Sequence, residues 1–91
     1  MMLEVIKKAL RISSSAFDGE VTDLIESAKL DLKIAGITVS DSPDALIKRA
    51  ITIYCKAHFG YDNPEADRFR DSYVMLKQHL SLAGDYREPV V

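Results

Sequence analysis

Apolar positions in this chain recur at three- and four-residue spacing in four separate runs. Two-residue alternation appears only at Ile37, Thr38 and Val39, too briefly to specify a strand. The pattern predicts an all-α fold, a small four-helix, bundle-like domain with a central buried helix over about 43–59. The run Ser42–Gly60 is the one the others should fold around. Ser42 is expected as its N-cap, with Pro43 at the first helical position, where a missing N–H is harmless, and Asp44 near the positive end of the dipole. Gly60 is the expected stop. Lys48, Arg49, Thr52 and Lys56 share an arc of roughly 100°, while Leu46, Ile47, Ala50, Ile51, Ile53, Tyr54 and Ala57 fill more than half of the remainder. So wide an apolar arc has to be covered from several sides.

The other runs are narrower. Leu3, Ile6 and Leu10 lie on one face of a short N-terminal helix that is too short to persist undocked. The Ser13-Ser14-Ser15 run reads as a loop. Asp18 is expected to cap a second helix whose stripe is Val21, Leu24, Ile25, Ala28, Leu32 and Ala35, ended by Gly36. A turn over Tyr61–Pro64, with Asp62 or Asn63 capping and Pro64 first in the helix, should open a last helix over Glu65–Ala83. Ala66, Phe69, Tyr73, Leu76, Leu80 and Ala83 form its stripe, and Gly84 its stop. No linker divides the chain, so residues 1–91 are expected as a single α-helical domain, with 83–91 as a flexible tail.

Two helices carry apolar residues on the wrong side. Leu30 and Ile34 point roughly opposite to Val21, and Met75 and Leu82 away from Phe69, Tyr73 and Leu76. Either the N-terminal helix covers one pair and the other is scattered surface, or these stripes are contacts between subunits. Leu30, Ile34, Met75 and Leu82 are therefore the candidate subunit interface.

Composition then removes function classes. With 91 residues, 47% hydrophobic and 29% charged, the chain is an ordinary small globular domain. A domain of this size buries only about 60–65% of its unfolded surface, so self-association would help it. A formal net charge of −2 argues against a generalist nucleic-acid binder. The single cysteine, Cys55, cannot form an intrachain disulfide, which suits a reducing cytoplasm. No apolar run approaches the ~18 residues of a membrane span, and the N-terminus lacks a signal-peptide core.

Candidate chemistry is sparse. Cys55 and His58 are three apart, but no further ligands converge, and a buried thiol beside a core imidazole is the expectation, with no metal and no cofactor. No Gly-x-Ser-x-Gly turn, paired cysteine–histidine or phosphate-cradling glycine loop is present, and Asp67 and Asp71 sit beside Arg68 and Arg70 as a charge-mixed surface. No catalytic residue is assigned. Lys48, Arg49 and Lys56 form a basic stripe that could meet nucleic acid, against the plainer reading of salt bridging to acidic neighbours.

Leu10-Arg11-Ile12, Phe17-Asp18 and Asp23-Leu24-Ile25-Glu26-Ser27-Ala28-Lys29 resemble the opening of the head–tail connector (adaptor) proteins of long-tailed bacteriophages. The likeness continues through Ala50-Ile51, then Tyr54-Cys55-Lys56-Ala57-His58-Phe59-Gly60-Tyr61-Asp62-Asn63-Pro64, and ends with Ser72-Tyr73 and Leu76-Lys77 to Leu80. It spans about Leu3 to Tyr86. The resemblance implies a structural, non-enzymatic α-helical subunit without cofactor, found at the head–tail junction of the virion and in the bacterial cytoplasm before assembly. It implies a homo-oligomeric ring beneath the portal protein that extends the DNA channel, passes DNA without specific binding and docks a stopper or tail-completion protein. Many members reach the portal with a C-terminal extension, whereas here only Asp85–Val91 follow Gly84. The alternative from another class is a small helical DNA-binding or regulatory protein.

Overall fold

The period-3.6 stripes all become helices, and individual side chains decide where each begins and ends. The computed structural model describes residues 2–39, 44–59 and 64–83. In chain order these form α1 (Met2–Leu10), a 3-10 turn (Ser15–Phe17), α2 (Asp18–Ile34), α3 (Ala45–His58) and α4 (Ala66–Leu82). The fold is all-α, and α3 packs against α1, α2 and α4 alike, most extensively against α4. The centre of the bundle is where the widest apolar arc placed it.

Ile6 of α1 is sealed in the core, and Leu3 and Leu10 pack against it. α1 then closes by two backbone bonds, Arg11 N–H to Lys8 O and Ile12 N–H to Lys7 O, with Arg11 at φ 60°. That left-handed conformation costs a non-glycine residue roughly 1 kcal/mol. α2 ends with the same pair of bonds, Gly36 N–H to Lys33 O and Ile37 N–H to Leu32 O, and here a glycine takes the left-handed position at φ 85°. Ile37, next in the chain, is fully buried with Leu32.

Three helix starts differ from expectation. Asp18 does not cap α2, because the 3-10 turn runs straight into that helix. Ser14 caps the turn, its hydroxyl accepting from Ala16 N–H at 3.0 Å. Asp18 becomes the first helical residue, and the Lys7 ammonium lies 2.8 Å from its otherwise enclosed Oδ1, pinning α1 to the head of α2. The cap of α3 is Asp44 rather than Ser42. Its Oδ1 accepts from Leu46 N–H and Ile47 N–H, both at 3.1 Å, and a carboxylate there gains from the dipole as well. α4 starts at Ala66 after Glu65, whose carbonyl accepts from Phe69 N–H, so Pro64 precedes the helix instead of opening it. α4 is thus one residue shorter at each end than Glu65–Ala83. The readings for Ser42, Pro43, Gly60, Asp62, Asn63, Gly84 and the tail over 84–91 lie outside the described residues.

The core consists of Ile6, Val21, Ile25, Ala28, Leu32, Ile37, Ile47, Ala50, Ile51, Cys55, Tyr73 and Leu80. Among the described residues no polar side chain other than the Tyr73 hydroxyl enters it. That hydroxyl donates to Asp31 at 2.5 Å, and Lys77 Nζ donates to the same Asp31 oxygen at 3.0 Å, so α4 is clasped to α2. Leu46 corrects the expected arc of α3. It is 43% exposed, since α3 is uncovered on that side of its first turn.

Candidate interaction surfaces

Helical geometry alone sends Leu30 and Ile34 outward from α2 and Met75 and Leu82 outward from α4, and the packing leaves them there. Leu30 is 59% exposed, Ile34 78%, Met75 62% and Leu82 80%. α1 covers neither pair; it lies against the inner stripe of α2 and against α3.

A second surface was not legible as a site. Between α3 and α4 runs a groove of about 370 Å³, lined by Lys48, Arg49, Thr52, Ile53 and Lys56 from α3 and by Phe69 and Ser72 from α4. A shallower extension continues past Arg49 and Ile53 to Met75, Leu76 and His79. Lys56 Nζ lies 5.5 Å from the centre of the Phe69 ring, which places an aromatic face beneath a cation. Lys48 and Arg49 are exposed. The expected salt bridging of the stripe is absent for these two, since among the described residues no carboxylate pairs with either. The stripe itself was visible; the groove needed the position of α4.

The remaining candidates separate. Cys55 is buried, and burial pushes its thiol up to about 12. His58 corrects the expected core imidazole. It is exposed at the last turn of α3, its ring 4.4 Å from that of Tyr54, so thiol and imidazole face different surroundings. No cluster of three or more metal-ligating side chains exists among the described residues. Asp67 pairs with Arg70 at 3.1 Å and Glu65 with Arg68, both exposed i,i+3 pairs of the kind worth little. Asp71 lies beside them, also exposed. Burial disfavours the charge on Asp31, but hydrogen bonds from Tyr73 and Lys77 outweigh it and hold the carboxyl below its ordinary value.

Two outward apolar faces, one groove and a structural polar clasp describe a molecule equipped for contact with other macromolecules. The model of the phage connector protein family matches residues 2–87. The chain belongs to that family. No curated protein and no solved structure matches it. As a phage connector protein it has a structural role in the virion, in contact with other virion proteins. No described helix is long and apolar enough to cross a membrane.

Proposed function

We propose that this phage connector is a ring-forming head–tail adaptor that sits below the portal protein, extends the DNA channel towards the tail and presents its far side to a stopper or tail-completion protein. The observation that carries the reading is the exposure of Leu30, Ile34, Met75 and Leu82 on the outer faces of two different helices. A closed ring needs two complementary patches per subunit, because each copy uses one patch on each neighbour. α2 supplies Leu30 and Ile34, and α4 supplies Met75 and Leu82. Burying four such side chains per contact contributes several kcal/mol before association entropy is subtracted, at ~25 cal/mol per Å² of apolar area. A contact of that size suits rings that form at high local concentration or on the portal as template.

The test is the paired substitution Leu30→Glu with Ile34→Lys, followed by circular dichroism and light scattering. Helicity and cooperative unfolding should survive while assembly, alone or on the portal, is lost. Normal assembly of this variant would place the subunit contact elsewhere and overturn the assignment.

A further inference from the structure

The outward face of α2 is chemically graded. Asp23, Glu26, Leu30 and Ile34 fall within roughly 80° of one another on the helix, opposite Val21. All four are exposed, acidic towards the start of the helix and apolar towards its end. Neither Asp23 nor Glu26 has an ion pair among the described residues. The groove between α3 and α4 carries the opposite chemistry. Lys48 and Arg49 are exposed and unpaired among the described residues, while Ile53, Phe69, Leu76 and Met75 give it an apolar floor and edge.

The two surfaces turn away from each other. α3 gives Ile47, Ile51 and Cys55 to the core and its opposite side to the groove. α4 reaches α2 through Tyr73 and Lys77, whereas Ser72 and His79, on its other flank, line the groove. Within one chain the acidic face therefore cannot reach the basic groove. Their lengths agree as well. Asp23 to Ile34 spans roughly 16 Å of helix, and Phe69 to His79 roughly 15 Å, at about 1.5 Å per residue.

We propose that the α3–α4 groove of one copy receives the outward face of α2 of a second copy, with Asp23 and Glu26 against Lys48 and Arg49 and with Leu30 and Ile34 on the apolar floor. This rests on the self-association reading above and adds what sets its direction. The apolar residues supply contact area, and the charges forbid α2 against α2 or groove against groove, so the contact runs head to tail. The occupant is a second copy because the charge and the length that the groove accepts are both found on this chain.

The experiment uses two charge-reversed chains. One carries Asp23→Lys with Glu26→Lys, the other Lys48→Glu with Arg49→Glu; all four positions are exposed, and circular dichroism should match the wild type. By sedimentation velocity each variant alone should self-associate about tenfold or more weakly than wild type, while an equimolar mixture recovers association, because every contact between unlike chains pairs opposite charges. Raising the salt concentration should weaken the wild-type contact. If both variants associate like wild type while Leu30→Glu with Ile34→Lys does not, the charge pairing is overturned and the apolar interface survives. Failure of the mixture to recover also overturns the pairing. A wild-type chain that stays monomeric at every soluble concentration overturns it too, and so does one that binds duplex DNA through Lys48 and Arg49 with a steep salt dependence, since the groove is then a phosphate-binding face.

Discussion

The two flanks of α3 are made differently. On one, Ile47, Ile51 and Cys55 enter a dry cluster with Val21, Ile25, Ala28 and Leu32 of α2, closed over by Ile6 of α1. On the other, α4 seals its seam with Tyr73 and Leu80 but leaves a groove in which lysine, arginine, threonine and serine surround a few apolar side chains. A central helix in a longer chain would have its whole circumference covered. Here three neighbouring helices cannot cover all of it, so one flank carries stability and the other remains as surface. A small subunit that works by contact can spare that flank, because the partner completes the burial.

The sharpest way to break this comparison is at Ile51, which is fully buried on the dry flank. Ile51→Ala should cost ~2–5 kcal/mol in denaturant unfolding, a large share of the stability of so small a domain. A loss below about 0.5 kcal/mol would mean that this flank yields like a surface. Next is the clasp between α2 and α4. Tyr73→Phe removes the donor to Asp31 and should cost about 1 kcal/mol.

The clasp also has a pH signature. The carboxyl of Asp31 is held below its unfolded value, so its contribution is present above about pH 4 and is lost as pH falls through the folded value. The melting temperature should drop in that acid window, and by less in Tyr73→Phe. An identical acid profile in both proteins would show that the hydrogen bond does not set the Asp31 titration. At the alkaline end the sign reverses. The Cys55 thiol is raised to about 12, so its contribution is complete below about pH 8.5 and declines as pH rises towards 12.

The smallest effect tests whether Cys55 and His58, three residues apart but differently placed, share an ion. Zinc at slight excess should leave the melting temperature unchanged, and a chelator likewise. Clear stabilisation by zinc would bring thiol and imidazole together and contradict the placement of one inside and the other outside.

Much of the helical framework was legible because burial follows periodicity. Val21, Ile25, Ala28 and Leu32 repeat at three and four residues and are all buried, and Ile6, Tyr73 and Leu80 follow from the same rule. The Gly36 stop was legible because glycine is the usual occupant of a left-handed helix end. The matching stop at Arg11 was not, since arginine carries no such signal and only the closing bonds to Lys7 and Lys8 reveal it. The caps were misplaced where several candidates stood close together, as at Ser42 and Asp44, because propensity ranks such residues almost equally while hydrogen-bond geometry selects one. Of the surface features, the outward positions of Leu30, Ile34, Met75 and Leu82 were legible from helical phase alone. The groove was not, because it belongs to two helices and exists only through their mutual placement.

What the sequence determined by itself is therefore everything that depends on a single helix: its period, its buried stripe, the side left facing out, and the absence of a recognisable catalytic motif. Only the tertiary structure decided the relations between helices. It turned Asp18 from a cap into a partner for Lys7, brought Asp31 to Tyr73 and Lys77 across more than 40 residues of chain, left Leu46 and His58 outside, and set the basic side of α3 beside Phe69. The physical reason is range. Periodicity and capping act over one or two turns, whereas ion pairs, clasps and grooves depend on how whole helices lie against one another.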